Sequence, residues 1–273
     1  MFAKRIFLFF SLFSFTLIYS QTVKLYGDAI PGGLMIGSST NIKSVTLDKK
    51  KLQVDSNGMF VFGFDRNAKG SHILKIFYKG KKSIIKKFKL PKRKYIVQKL
   101  RIDGKYVTPP KDELKKIKLE SIEMKKARAS VGLIDSAFYS SGFEYPVKNP
   151  RETSQFGSQR ILNGVRKAPH NGIDFGEDEG TPVYAAADGI VAIAGNDFYY
   201  NGNFVLLDHG QGLTSVYLHF SKLDVVTGDH VKKGQKIGEV GTTGRSTSAH
   251  LHFGVQWYNK RIDPMSMLEL KFP

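Results

Sequence analysis

Short stretches in which apolar and polar residues alternate run through the first third of the chain. The segments MFVFGF and HILKIFY combine aromatic and β-branched residues, which strands favour. Turn-forming residues separate such segments at Pro31-Gly32-Gly33, Asp55-Ser56-Asn57-Gly58 and Lys79-Gly80. The pattern predicts a small β-sandwich-like domain over residues 21–107.

A different pattern follows in residues 108–142. This part contains PPKDELKKIKLESIEMKKARAS, in which prolines and acids come first, as they do at the start of a helix. Leu114, Ile117, Ile122 and Met124 recur at mostly helical spacing. We therefore expect one amphipathic helix that links two folded domains.

The remainder, residues 143–273, has frequent turns that contain glycine. Between the turns lie the short β-type runs GIVAIAG, NFVLLDH, SVYLHF and HLHFGVQW, which are typical of an antiparallel all-β domain. The fold class predicted for the whole chain is therefore mainly β. It comprises an N-terminal β-sandwich-like domain, a linker helix and a C-terminal antiparallel β domain.

The first twenty residues predict an export signal rather than a folded element. Lys4 and Arg5 precede an apolar run from Ile6 to Tyr19. That run is shorter than the roughly 20 apolar residues needed to span a bilayer, and it fits the apolar part of a secretory signal peptide. We expect a signal peptide over residues 1–20 and a periplasmic or exported protein; an uncleaved anchor is the alternative.

Composition restricts the chemistry that the chain can perform. There is no cysteine, so a disulfide framework is excluded and any metal site must use nitrogen and oxygen ligands. The formal net charge of +18 implies an anionic partner or surface.

Lysines concentrate between Lys69 and Lys105, where cations alternate with apolar residues. One interpretation is the solvated cationic face of a strand. The other is contact with an anionic envelope surface, either lipid headgroups or wall polymer. Nucleic acid is not an expected partner, because the stretch lacks a recognisable nucleic-acid module and the protein is predicted to be exported.

Histidines gather in the C-terminal part, beside glycines and in short β-like runs. His170 and Asp174 lie four positions apart in PHNGIDFG, so they share a face of an extended strand, and Gly172 between them leaves room for an ion. His250 and His252 in AHLHFGV lie two apart and point to one side of a strand. Two imidazoles and a carboxylate form a ligand set of the kind that catalytic zinc uses, with a fourth position left for water.

Hydrolysis at such a metal needs a group that takes a proton from water and another that stabilises a negatively charged oxygen. No HExxH arrangement supplies a glutamate. His219, in SVYLHF, and His250 are the available pair, and Tyr217 is expected on the same strand face as His219.

Three segments together resemble the lysostaphin or LytM-type family of zinc peptidoglycan endopeptidases. They are HNGIDFG, DHGQGLTSVYLHF and GDHVKKGQKIGEVGTTGRSTSAHLHFGV, and they occur in the family's order within residues 143–263. The resemblance implies that His170, Asp174 and His252 are zinc ligands and that His219 and His250 are catalytic, with either histidine acting as the base. The departures are Ser248 and Ala249, where relatives often have glycine and proline.

The resemblance implies an exported endopeptidase that cuts peptide stems or cross-links of peptidoglycan, in cell-wall remodelling or cell-shape maintenance. The implied bond joins D-alanine to diaminopimelate. A non-enzymatic activator of cell-wall amidases is the alternative, and a binding module with a basic surface is a third possibility. The retained set of five metal-site residues argues against the activator.

The linker also suggests a form of control. Residues 108–143 carry acids that can approach an open metal position, and a helix that can dock across a cleft. We expect this segment to cover the active site; a passive spacer is the alternative. The acids are Asp112, Glu113, Glu120 and Asp135.

Overall fold

The structure is a computed structural model that describes residues 22–80 and 82–272. The predicted signal peptide at residues 1–20 lies outside the described residues. Within them, no helix is both long and apolar enough to cross a bilayer.

The N-terminal part is built from short strands, in agreement with its alternating pattern. Two sheets form, in the orders β1-β2-β5 and β4-β3-β6-β7. The rings of Phe62 and Phe88 meet between them with centroids 5.9 Å apart, so the two sheets enclose a shared apolar core. The strands are β1 (Lys24–Tyr26), β2 (Leu34–Ser38), β3 (Ile42–Leu47), β4 (Lys50–Leu52), β5 (Met59–Gly63), β6 (Ser71–Tyr78), β7 (Ser83–Lys89) and β8 (Val97–Leu100).

A single long helix, α1 (Glu113–Ala129), follows this part and confirms the predicted linker helix. Its apolar residues are used differently from the expectation. Met124 and Ala127 pack against a buried apolar cluster of the C-terminal part, whereas Leu114 and Ile122 are 51% and 45% exposed. The helix therefore packs its apolar side chains through its C-terminal half, while its first half makes polar contacts such as the ion pair of Lys116 with Asp197.

The C-terminal part is almost entirely antiparallel. A ten-stranded sheet has the central order β17-β14-β15-β16-β19-β12-β9, to which β13, β18 and β20 add at the side. β10 and β11 form a separate three-stranded sheet with β8. The strands of the C-terminal part are β9 (Glu152–Ser154), β10 (Gln159–Leu162), β11 (Val165–Arg166), β12 (Ile173–Phe175), β13 (Pro182–Tyr184), β14 (Gly189–Phe198), β15 (Gly202–Asp208), β16 (Leu213–Leu223), β17 (His230–Val231), β18 (Lys236–Val240), β19 (Leu251–Trp257) and β20 (Lys260–Ile262), followed by α2 (Pro264–Leu268). The mainly β fold class is confirmed.

Strand register divides the residues of the large sheet between two faces. One face carries Tyr217 and Phe253, which pair across β16 and β19 and are buried in the main core. The other face carries Leu218 opposite His252 and Val216 opposite Gly254. This second face receives α1, and it forms the floor of the cleft described below.

The N-terminal and C-terminal parts are joined by more than the linker. β8 pairs in parallel with β10, so that Val97 lies opposite Gln159, and Arg93 forms an ion pair with Asp263. Buried apolar residues of both parts belong to one continuous cluster. Division of the chain at residues 107 and 142 stays a prediction; residues 97–100 already pair with a strand of the C-terminal part.

Candidate metal centre

Two of the predicted ligands are brought together by strand register. β12 and β19 are antiparallel neighbours, and Asp174 lies directly opposite His252. Directly opposite residues project from the same face of a sheet with their Cβ atoms about 5 Å apart. The side chains meet, with Asp174 Oδ1 at 2.7 Å from His252 Nδ1.

His170 completes the group from the segment just before β12. Its Nε2 lies 3.0 Å from Asp174 Oδ1 and 3.0 Å from His252 Nδ1. His170, Asp174 and His252 thus offer one donor atom each at a common point, and the donors lie within 4.8 Å of one another. The structure brings together all three residues predicted to be ligands.

The hydrogen-bond partners of His170 indicate what this group can hold. His170 Nδ1 lies 3.1 Å from the carbonyl oxygen of Gln155, and a carbonyl oxygen only accepts. The ring proton is therefore on Nδ1, and the lone pair of Nε2 faces the carboxylate oxygen of Asp174. Nε2 of His170, Nδ1 of His252 and Oδ1 of Asp174 converge on one point, so the donor set fits a divalent metal ion, with two imidazole nitrogens and one carboxylate oxygen as ligands.

Gly172 allows the ligand side chains to approach. A Cβ at this position would lie 2.8 Å from His252 Nε2 and would also collide with the carbonyl oxygen of Phe253. The sequence prediction assigned the space beside Gly172 to an ion. The structure instead shows that it accommodates the ring of His252.

Electrostatics keep the carboxyl group of Asp174 ionised. Burial alone would raise its pKa, but its contacts with the imidazoles of His170 and His252 outweigh burial and hold the pKa well below the usual range. Its second oxygen, Oδ2, accepts a hydrogen bond from Arg160 Nη2 at 3.0 Å. The two oxygens therefore have separate roles, one toward the donor group and one toward a fixed cation.

A β-bulge directs His219 into the cleft. Phe204 pairs with Leu218 and the adjacent Asn203 pairs with Phe220, so His219 is an extra residue in β16. Its φ of 71° lies in the left-handed region, which residues other than glycine seldom adopt. The expectation that Tyr217 shares a face with His219 is wrong: Tyr217 points into the core on the opposite side.

His219 and His250 present the same nitrogen to the cleft. His219 Nδ1 lies 2.8 Å from the carbonyl oxygen of Thr243, and His250 Nδ1 lies 2.8 Å from that of Ser248. Both Nδ1 atoms therefore carry the proton, and both Nε2 atoms bear a free lone pair. The two rings lie side by side with centroids 4.9 Å apart, and burial lowers the pKa of His219 to about 3.

The five histidine and aspartate side chains line one cleft of about 1090 Å³. Met124 and Arg128 of α1 form part of one wall. A further wall segment is fixed where Tyr106 donates a hydrogen bond to the carbonyl oxygen of Gly244 at 2.6 Å.

The linker does not cover the metal group in the way its acids suggested. Glu120 accepts hydrogen bonds from the backbone nitrogen of Tyr199, and Asp135 accepts one from Gln53. Within residues 22–80 and 82–272, neither these acids nor Asp112 and Glu113 line the cleft. The helix α1 lies beside the donor group and forms part of one wall of the cleft.

His209 lies outside the cleft, directly after β15, and is fully buried. Its side chain is 0% exposed, with Nδ1 at 2.7 Å from the carbonyl oxygen of Asp188 and Nε2 at 2.7 Å from Ser215 Oγ. Burial lowers its pKa to about 4. It is therefore a neutral core residue.

Arg160, on β10, is a further residue of the site. Its position before β12 gives no indication that it meets Asp174, because the contact depends on how β9, β10 and β12 lie against each other. The structure assigns it to the Asp174 ion pair.

Residues 168–264, which include all three donors, match the family described as Peptidase family M23. The chain is 45% identical over 111 residues to peptidoglycan DD-endopeptidase ShyA of Vibrio cholerae. This alignment covers 40% of the chain and 26% of ShyA, so the chain spans about a quarter of that relative's length.

Solved structures resemble the chain over different extents. A Pseudomonas aeruginosa protein assigned to the M23 peptidases matches 88% of this chain and 95% of its own, with a TM-score of 0.63 and 29% identity. The catalytic domain of lysostaphin from Staphylococcus simulans matches 44% of this chain and 93% of its own, with a TM-score of 0.40 and 35% identity. The first likeness extends across both parts of the fold, well beyond the residues matched by the family.

Proposed function

Because the chain belongs to peptidase family M23, we propose that it is a zinc endopeptidase that hydrolyses peptide bonds of peptidoglycan. The observation that carries the proposal is the convergence of His170, Asp174 and His252 at the base of a cleft. Relatives named peptidoglycan DD-endopeptidases support the substrate.

Zinc suits the donor set better than a hard cation does, since two of its three donors are imidazole nitrogens. Bound at this group, zinc would act as a Lewis acid and lower the pKa of water. The protein orients its own donors before a metal binds. The carbonyl oxygen of Gln155 fixes the ring of His170, and Arg160 fixes the carboxylate of Asp174.

The two cleft histidines perform the proton transfers. A lone pair on Nε2 of His219 or His250 accepts a proton from the attacking water, and the protonated imidazole then passes it to the departing amine. The neighbouring imidazole donates a hydrogen bond from Nε2 to the oxyanion when it is itself protonated, because its Nδ1 proton is already bonded to a carbonyl oxygen. Thr243 and Ser248 keep both rings in the required tautomer through their carbonyl oxygens.

Digestion of purified muropeptides tests the activity and the bond together. The zinc-loaded protein should release products whose masses reveal new termini, and we propose that the hydrolysed bond joins D-alanine to diaminopimelate. Failure of the zinc-loaded protein to cleave any muropeptide would overturn the proposal. Stimulation of a cell-wall amidase by that inactive protein would support the alternative role of activator.

We propose that the protein acts outside the cytoplasm, in cell-wall remodelling. Residues 1–20 have the pattern of a signal peptide, and peptidoglycan lies beyond the inner membrane. Expression of the full chain followed by amino-terminal sequencing of the exported form should give a start near Gln21. A cytoplasmic, full-length product would contradict this location.

We also propose that the exposed face of β6 and β7 contacts anionic lipid. Ile73 pairs with Lys87, and Lys75 pairs with Ile85, and all four side chains are exposed. A sheet face that mixes apolar and cationic side chains suits a lipid interface, where the apolar groups enter and the lysines meet headgroups.

Sedimentation with vesicles of phosphatidylglycerol tests this contact. The double variant Lys75→Gln, Lys87→Gln should lose most of the binding, while Lys125→Gln and Lys126→Gln on α1 together should not. Equal binding by both double variants would refute the proposed surface. Binding to purified cell-wall material is measured with the same variants. If the Lys75→Gln, Lys87→Gln protein binds the wall as well as the parent does, this face does not contact the wall.

A further inference from the structure

The cleft carries more cations than carboxylates, and among the described residues most of these cations have no acidic partner. Among the described residues that line the cleft, one arginine or lysine lies within 4.0 Å of an acidic side chain. This pair is Arg160 and Asp174. The cleft cations are Arg128, Arg151, Arg160, Lys167, Arg245 and Arg261.

Arg128 reaches the cleft from the last turn of α1. Its Nη1 donates a hydrogen bond to Oε1 of Gln256, a residue of β19 that is 5% exposed. An amide oxygen satisfies one donor of the guanidinium but leaves its charge uncompensated. The remaining donors stay available to a ligand in the cleft.

Arg261 approaches the same glutamine from the other side. It lies on β20 directly opposite Gln256 in the strand pairing. Its backbone nitrogen donates to Asp65 Oδ2 at 3.0 Å, yet its guanidinium forms no ion pair among the described residues. Burial lowers the pKa of Arg128 to about 10, and the charge of Arg261 contributes to that shift; both side chains remain cationic at neutral pH.

Strand geometry sets the distance from these arginines to the metal donors. His252, Gly254 and Gln256 alternate along β19 and therefore share the cleft face. His252 and Gln256 are four positions apart along the strand, which corresponds to about 13 Å. Gly254 and the apolar side chains of Val216 and Leu218 form the floor between the two points.

We propose that Arg128 and Arg261 form a subsite that binds a carboxylate of an acidic peptide substrate, about four extended residues from the hydrolysed bond. The inference rests on the proposed peptidase function and specifies the substrate that this cleft prefers. Two guanidinium groups present planar donor forks that match a carboxylate. A bound carboxylate would also relieve the repulsion between the two cations.

Paired substrates test the subsite. A cross-linked muropeptide dimer with free carboxylates is compared with the same dimer after its carboxylates have been converted to amides. The parent protein should prefer the acidic dimer by about tenfold or more in kcat/KM, mainly through KM. Arg128→Gln should remove most of the preference, chiefly by raising KM for the acidic dimer.

Lys126→Gln is the matched control, because Lys126 is an exposed cation on the same helix and does not line the cleft. It should retain the parent's preference. If Lys126→Gln and Arg128→Gln lower the preference equally, the preference arises from the overall charge of the protein, and the subsite is overturned. Arg261→Gln provides a second, independent variant with the same expected loss.

Binding separates the subsite from the catalytic proposal. In the His219→Ala background, calorimetry measures the dissociation constants of both dimers without turnover. If the acidic dimer binds more tightly and this difference depends on Arg128, the subsite is supported. This holds even if the parent protein hydrolyses neither dimer; in that case the peptidase proposal alone fails. Equal binding of the two dimers, or binding of neither, would overturn the subsite.

Discussion

The guanidinium of Arg160 holds Oδ2 of Asp174 at 3.0 Å, while Oδ1 of the same carboxylate faces His170 and His252. This arrangement fixes the orientation of the carboxylate before any metal binds. A carboxylate that is already oriented loses less rotational freedom when it becomes a ligand.

Replacement of Arg160 by Ala should weaken zinc binding by about 10- to 100-fold, the usual effect of removing a group that orients a ligand. Competition with a chromophoric chelator measures the dissociation constant. Arg166→Ala is the control, because Arg166 is exposed and bonds to Gln159 rather than to Asp174. Unchanged affinity in Arg160→Ala would show that Asp174 needs no second support.

Removal of any one donor should abolish stoichiometric metal binding. His170→Ala, Asp174→Ala and His252→Ala each leave two of the three protein ligands. Metal content after dialysis against zinc at low concentration measures the effect, with the exposed His230→Ala as control. Full occupancy in the Asp174 variant would contradict the ligand assignment.

His219→Ala and His250→Ala should retain zinc but lose turnover by about 100-fold or more, the scale expected for a positioned proton-transfer group. Their Nε2 atoms face the cleft, but neither belongs to the group of converging donors. Zinc content and muropeptide hydrolysis are measured on the same samples. Activity within a few-fold of the parent in both variants would exclude the catalytic role.

Gly172→Ala should disrupt the metal group without adding or removing a ligand. The new Cβ would collide with the carbonyl oxygen of Phe253 and lie 2.8 Å from His252 Nε2, so the strand that carries His252 or its ring must shift. Zinc affinity should fall, and far-ultraviolet circular dichroism reports whether the fold persists. Gly104→Ala is a suitable control, since a Cβ there meets nothing within 4 Å.

His209 should make stability depend on pH. Its pKa in the folded protein is about 4, below its ordinary value, so the unfolded chain takes up this proton more readily. The stabilisation is complete above about pH 6.5 and is lost as pH falls toward 4, by about 3 kcal/mol in all.

Urea unfolding at several pH values, with the zinc concentration held constant, measures the contribution of His209 to the free energy of unfolding. The His209→Gln variant cannot titrate at this position, so its free energy of unfolding should fall less steeply below pH 6.5 than that of the parent. His230→Gln should follow the parent, because His230 is exposed. Parallel curves for the parent and His209→Gln would contradict the assigned titration.

Sequence periodicity was sufficient for the strands and for the existence of α1, because alternation and helical spacing are local properties. The spacing of His170 and Asp174 likewise placed both in one group. What spacing cannot supply is the register between distant strands. The pairing of Asp174 with His252 depends on how β12 aligns with β19, and no local pattern specifies that alignment.

Two local irregularities also escaped the pattern. Strict alternation put His219 and Tyr217 on one face, but the extra residue in β16 reverses the direction of His219. In the linker, the apolar spacing predicted an amphipathic helix. The structure packs Met124 and Ala127 against the sheet but leaves Leu114 and Ile122 largely exposed.

The floor and the wall of the cleft come from separate segments of the chain. The metal donors lie on β12, on β19 and on the residues beside them, whereas Arg128 lies on α1, which forms the wall. Mutations in the helix can therefore accumulate without altering the metal ligands. Over evolutionary time this separation would let one hydrolytic centre acquire new substrate preferences by exchanging a single helix. Transplanting the α1 sequence between related enzymes should then carry selectivity with it, while the chemistry stays with the recipient.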